Sequence, residues 1–239
     1  MTEKLLDDKR LLIKQNIEYI RERIEIAAVK SGRKASNIDF VAVTKTQSAG
    51  AINTVFENGI KIIGENRVQE LTEKLPYLNL NGASVHLIGH LQTNKLKYII
   101  DKVDMIESLD SLNLANELDK QAKACNKIIN TLIEINIANE QSKTGIKISE
   151  VDNFLEQIEP LGNIKVCGIM CIPPFDKNID NIRPYFKQMS KLFIDIKAKK
   201  MDNSIMNILS MGMSSDYEVA IEEGSTMVRI GTAIFGKRN

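Results

Sequence analysis

Between residues 3 and 30 the apolar positions fall on one side of a helix. Ile13, Ile17, Ile20, Ile24 and Ala27 recur at alternating spacings of four and three, which is the repeat of a single helical stripe. Ser31-Gly32 ends it. The period then changes. Residues 38–44 form a short, apolar, β-rich run, and a helical stretch over 51–58 follows and closes at Gly59. Further apolar runs at 60–63, 84–89, 103–109, 129–137, 164–172, 205–209 and 226–230 bring the number to eight. Helical patterns separate them at 66–75, 93–101, 111–124, 149–158, 180–201 and 215–223. Strands alternating with helices predict right-handed βαβ units and a parallel sheet. Eight units predict a closed (β/α)₈ TIM barrel over about 38–236 with an extra N-terminal helix over about 3–30. A doubly wound open sheet would need a Gly-rich phosphate turn after its first strand. Neither GxGxxG nor GxxxxGK[ST] occurs, and no Pro/Gly/Ser-rich linker divides the chain. Residues 1–239 are therefore expected to form a single α/β domain.

Composition narrows the function classes. A barrel runs to about 250 residues, and the chain has 239. The 32 Lys and Arg balance 31 Asp and Glu, a net charge of +1, so there is no electrostatic reason to expect nucleic acid or an anionic membrane as partner. No apolar run approaches the roughly 20 residues of a spanning helix. The start, MTEKLLDDKRLLIKQ, mixes charged and apolar residues, unlike a signal peptide. A cytoplasmic location is expected. Three cysteines in a long chain, Cys125, Cys167 and Cys171, are no disulfide framework. Cys167 and Cys171, about 13 Å apart along a strand, cannot share one metal ion, and core packing is expected of both.

In such barrels the chemistry sits at the C-terminal ends of the strands. The first strand ends in Thr44-Lys45, the second runs into Gly64-Glu65-Asn66, and the third ends Gly89-His90. The fifth runs through Glu134 into a polar loop containing Lys143. Alternation puts Val41, Val43 and Lys45 on one face, so Lys45 lines the barrel if the valines do. Apolar surroundings there favour the neutral amine a Schiff base requires. A strand-end lysine reaching solvent is the competing expectation.

The last two strand ends tip that balance. Barrels often hold phosphate with the loops after strands seven and eight and the N-terminus of a short helix. Here those loops read Ser210-Met211-Gly212-Met213-Ser214 and Gly231-Thr232-Ala233. Glycine admits backbone N–H groups to an anion, and Ser210 and Thr232 add hydroxyls. Ordinary turn chemistry with an N-cap at Ser214 or Ser215 is the alternative. Arg229, two residues before the last loop, would point into the barrel mouth, where pyridoxal-phosphate enzymes place an Asp or Arg opposite the pyridine nitrogen. An ion pair with an inward Glu134 is its alternative. His86 and His90 are expected to serve the core or the rim; no metal site is expected.

These residues carry a resemblance. VAVTKT (41–46), GENRVQE (64–70), HLIGHLQTNK (86–95), INIANEQSKTGI (135–146), GIMCIPP (168–174) and SMGMSSDYEVAIEEGSTMVRIGTAIFG (210–236) closely resemble the YggS/PROSC family of pyridoxal-phosphate homeostasis proteins. The resemblance implies a barrel similar to the N-terminal domain of alanine racemase, with pyridoxal 5'-phosphate (PLP) on Lys45. It implies the phosphate near Ser210, Met211, Gly231 and Thr232, the pyridine nitrogen near Arg229, and Asn66 lining the cofactor. Two positions depart from many relatives: Gln47-Ser48 replaces a lysine and proline, and Val85 stands where a tryptophan is common.

Two functions follow from this reading. In the first, the protein carries and buffers PLP and supplies it to apoenzymes, with little or no turnover and as a monomer. In the second, it is a PLP-dependent amino-acid racemase. The second would need a β-rich domain supplying an opposing base, for which the chain, ending soon after the last strand, has no room. Arg opposite the pyridine nitrogen would also weaken the electron sink such chemistry uses. A Schiff-base aldolase is a more distant third.

Overall fold

The first helix, α1 (Glu3–Lys30), precedes eight strands: β1 (Asp39–Val43), β2 (Ile62–Glu65), β3 (Ser84–Leu87), β4 (Met105–Leu109), β5 (Ile129–Ile135), β6 (Ile164–Cys171), β7 (Ser204–Met213) and β8 (Met227–Ile230). Helices α2 (Ala49–Glu57), α3 (Val68–Lys74), α4 (Leu112–Ala124), α5 (Val151–Ile158), α6 (Ile179–Ala198), α7 (Tyr217–Glu222) and the single turn α8 (Thr232–Phe235) alternate with them. Between β3 and β4 the chain forms a 3₁₀ helix, Thr93–Tyr98, where a longer helical pattern was expected. In this computed structural model residues 3–141 and 143–236 are described. Every strand pairs in parallel with its neighbour in sequence, and β1 pairs with β8, so the sheet closes.

Helix starts follow local chemistry. Ser48, Ser111 and Asn178 accept the N–H groups of Ala51, Leu114 and Asp180 and cap α2, α4 and α6, each satisfying a donor the helix leaves unpaired. Apolar surface is buried in two places. Outside the barrel, Ile63, Leu87, Ile106, Ile133, Ile169 and Leu209 pack under the helices. Inside, Met105, Leu132 and Met170 meet Cys167 and Ile208, so the barrel is filled rather than open. Gly64 belongs to this interior: a Cβ there would stand 3.0 Å from Ile88 and Val41 side chains. The stripe of α1 is buried as its spacing predicts and packs against Ala42, Val228, Ile230 and Ile234. Asn16 of α1 donates to the Ile234 carbonyl at 2.8 Å, and Arg23 holds Glu218 through two hydrogen bonds. Through these contacts α1 fixes α7 and α8, the elements beside the barrel mouth.

One strand boundary differs in a way that matters. β7 runs to Met213, so Ser210 and Met211 lie in a strand and not in a loop. The β7–β8 register shifts between Ser210 and Met213, and Gly212 takes a positive φ of 94°. A Cβ at Gly212 would come within 2.5 Å of the Ala220 Cβ. Glycine alone tolerates both demands, and a glycine flanked by methionines reads as a turn although the strand continues past it.

Candidate functional site

A cavity of about 370 Å³ opens at the C-terminal end of the barrel, within the range of small-molecule sites. Lys45, Asn66, Arg229, Gly231 and Thr232 all line it, with Val43, Ile88 and Ile172 as apolar wall and Met213, Ser214 and Ser215 beside the last loop. The structure therefore brings together five of the seven residues singled out in the sequence. Ser210 and Met211 are fully buried and are not on its wall. The β7 contribution to the cavity starts at Met213 instead.

Lys45 follows β1 directly, and both of its neighbours are clamped. The Thr44 hydroxyl donates to Glu65 Oε1 at 2.8 Å. Lys74 Nζ donates to the same oxygen at 2.8 Å, to the Thr44 carbonyl at 2.9 Å and to Glu70 Oε1 at 2.5 Å. Thr46 has a left-handed φ of 66°, and its N–H donates to Glu70. Side chains rarely adopt that φ without support. A lysine–carboxylate cluster, with Glu65 buried and Lys74 and Glu70 half-buried, thus sets the backbone on either side of Lys45. The sequence offered one sign of it, the Glu70–Lys74 spacing of four within a helix, which reads equally as a surface pair.

The loops after β7 and β8 meet through Ser214. Its hydroxyl oxygen accepts from Gly231 N and Ala233 N, each at 3.2 Å. The N-cap expected at Ser214 or Ser215 is not formed: the α7 N-cap is Asp216, and Ser214 instead ties the β7 loop to the start of α8, where Ser214, Gly231 and Thr232 border the cavity.

Arg229 is 3% exposed. Nη2 donates to the Cys171 carbonyl at 2.8 Å and Nη1 to the Ser210 hydroxyl, which in turn donates to Glu107 Oε2 at 2.7 Å. Arg229 Nη1 lies 3.9 Å from that carboxylate. The partner is therefore Glu107 of β4 and not Glu134, whose Oε1 accepts from the Thr144 hydroxyl at 2.7 Å. His86, in the core as expected, shares a 2.8 Å hydrogen bond with Glu107 Oε1. His90 lies at the rim against Asp110 at 2.7 Å, in a separate hollow lined by Gln92, Asn94 and Asn113. Lys143 sits in the loop after β5, which Asn136 folds by bonding the Glu140 backbone on both sides. Among the described residues no three metal-ligating side chains converge, and no helix is long and apolar enough to cross a membrane. Burial pushes the Cys171 thiol up to about 12, consistent with a packing role.

The carboxylates fall into two groups. Burial raises Glu65, Glu134 and Asp216 above the ordinary carboxylate range despite their hydrogen bonds. Burial would raise Glu107 as well, but the His86 hydrogen bond and charge, Arg229 and Ser210 hold it below that range. Bonds from Lys74 and Thr46 keep Glu70 low against the same burial effect. The signs give a two-phase acid response. A group raised in the fold takes its proton before the unfolded chain does, so stability rises as pH falls toward the ordinary range. The stability that Glu107 and Glu70 contribute is complete above that range and is lost as pH falls below it, through their folded values. Urea unfolding of the cofactor-free protein is expected to show greatest stability on the acid side of neutral. A steady decline from neutral pH downward would contradict these assignments.

Residues 13–239 match the family model described as alanine racemase, N-terminal domain. The pyridoxal phosphate homeostasis protein of Aquifex aeolicus is 40% identical over 224 residues, 94% of this chain and 97% of that one. The protein of the same description from Escherichia coli K12 is 37% identical over 230 residues, 95% and 97% of the two chains. Among solved structures, PipY of Synechococcus elongatus with PLP bound superposes with a TM-score of 0.82 at 28% identity, over 94% of this chain and 100% of that one. Alanine racemase of Corynebacterium glutamicum, at 14% identity and a TM-score of 0.66, shares the barrel over 92% of this chain and 61% of its own. The chain belongs to the alanine racemase N-terminal domain family and, within it, to the pyridoxal phosphate homeostasis proteins.

Proposed function

We propose that this protein holds PLP as a Schiff base on Lys45 and acts as a carrier and buffer that limits free aldehyde and supplies apoenzymes. The observation that carries this reading is the composition of one cavity wall among the described residues: a lysine, an arginine, an asparagine and a hydroxyl-rich pair of loops around an apolar slot. The donor set suits the group. Asn66 Oδ1 is buried without a partner in the protein, as a side chain that completes its bonding with a polar ligand would be. Loop N–H groups and the hydroxyls of Ser214, Ser215 and Thr232 suit a phosphate. Arg229, a permanent donor, suits an unprotonated pyridine nitrogen. PLP supplies an aldehyde that the Lys45 amine condenses with, releasing water. Ser210 and Met211, assigned to the phosphate by motif, stand behind this wall, and the phosphate is assigned to Ser214, Ser215, Gly231 and Thr232.

Titration with two ligands tests the phosphate assignment. Thr232→Val removes one hydroxyl at the loop. A hydrogen bond to a charged acceptor contributes about 1.5–3 kcal/mol, so the variant is expected to bind PLP about 10- to 100-fold more weakly. Pyridoxal, which lacks the phosphate, should bind as it does to the unaltered protein. Equal losses for both ligands would remove Thr232 from the phosphate site.

A further inference from the structure

We propose that Glu107, which does not reach the cavity, is the positioning residue for Arg229, acting through the Ser210 hydroxyl. The inference rests on the reading of Arg229 as the partner of the pyridine nitrogen.

The bonding directions leave no freedom. A guanidinium has only donors and an ionised carboxylate only acceptors. The single Ser210 proton must therefore go to Glu107 Oε2, at 2.7 Å, which turns the oxygen's lone pairs to Arg229 Nη1. Nη2 is held at the same time by the Cys171 carbonyl, 2.8 Å away. Two fixed anchors on different strands set the plane of the guanidinium and leave its remaining donors for the cavity it lines. Glu107 is itself held from the other side. His86 Nδ1 shares its Oε1 at 2.8 Å, and His86 Nε2 meets the Ser84 hydroxyl at 3.1 Å. The line Ser84, His86, Glu107, Ser210, Arg229 thus crosses the barrel interior from β3 through β4 and β7 to β8.

Charge makes the same case. Glu107 and Ser210 are wholly buried, and Arg229 nearly so. An unpaired cation in that place would be strongly unfavourable. Other acidic groups act on Arg229 from β5 and the β7–α7 turn, namely Glu134 and Asp216. Glu134 is bonded to Thr144, and Asp216 accepts the Met213 N–H. Glu107 is the carboxylate linked to the guanidinium by a shared hydroxyl and an ion-pair contact. A mid-strand glutamate off the cavity wall is thereby given a reason to be ionised and a task.

The test compares PLP with its 1-deaza analogue, in which carbon replaces the ring nitrogen. Kd for both is measured in the unaltered protein, R229Q, E107Q and S210A, with circular dichroism to confirm the fold. The ratio of the two Kd values reports the arginine–nitrogen bond and is insensitive to general loosening, which weakens both ligands alike. The unaltered protein is expected to prefer PLP by about 10- to 100-fold and R229Q to lose that preference. E107Q and S210A are expected to lose most of it while keeping Arg229. An E107Q protein with the full preference overturns the proposal. Should E107Q not fold, S210A, which keeps the charge and removes only the link, decides in the same way. No preference in the unaltered protein would remove the reading of Arg229 itself, and the positioning role with it.

Discussion

Lys45→Ala is expected to purify colourless, with the fold retained and no PLP held at the barrel mouth at stoichiometric ligand. The side chain lines the cavity without being part of the packed core, so its truncation leaves no interior void. The Thr44 and Thr46 hydrogen bonds that set the local backbone stay available in the variant, and circular dichroism checks that the fold is kept. Loss of colour would therefore report loss of the amine and not collapse of the strand end. Borohydride reduction followed by peptide mass spectrometry measures the outcome directly. At stoichiometric PLP the unaltered protein should carry the reduced cofactor on the peptide containing Lys45, and the variant should carry no stoichiometric adduct. A variant that kept a reducible adduct at full occupancy would move the attachment elsewhere, and Lys143 in the loop after β5 would be examined next.

The parts of this site that were legible in the sequence are those governed by period and position. Strand alternation placed Val41, Val43 and Lys45 on one face, and Lys45 lines the cavity beside Val43. The α1 stripe predicted a buried face and has one. The barrel rule placed the chemistry at the strand ends, where Asn66, Arg229, Gly231 and Thr232 converge. What could not be read depends on contacts between distant strands. Glu107 lies in Met-Ile-Glu-Ser-Leu, where alternation alone permits a solvent-facing glutamate; only closure of the barrel turns that face inward, toward Ser210, 103 residues away. That Glu107 rather than the expected Glu134 is the acidic partner of Arg229 likewise follows from tertiary geometry. The apolar run ends at 209 in the sequence, which puts Ser210 and Met211 in the loop, whereas the strand runs on through them to Met213. The positive φ of Gly212 accommodates a register shift within that strand. The Lys74 cluster escaped notice because an i,i+4 pair carries no sign of whether its helix face is wet or buried.

The cavity also limits what the bound cofactor can do, and the second large effect expected is an absence of turnover. Racemisation of an amino acid needs a proton acceptor on one face of Cα, a donor on the other, and a sink for the charge between them. Among the described residues that line the cavity, the titratable side chains are Lys45 and Arg229. Lys45 can serve one face once a substrate amine has displaced it. Arg229 stays protonated and offers no base. No tyrosine, histidine or cysteine lies on the wall: Tyr19, Tyr185 and Tyr217 belong to helices, Tyr77 and Tyr98 to 3₁₀ turns, and His90 to the separate hollow beside Asp110. An arginine donating to the pyridine nitrogen leaves that nitrogen unprotonated, which weakens the sink further. The PLP-loaded protein, incubated with alanine or serine in deuterated water, is therefore expected to exchange the α-proton far more slowly than the roughly 1–10³ s⁻¹ of ordinary enzymes. The exchange is read by proton NMR as loss of the α-proton signal. Exchange within the enzyme range would overturn the carrier reading. His90→Ala would then decide whether the rim histidine reaches the cavity during turnover.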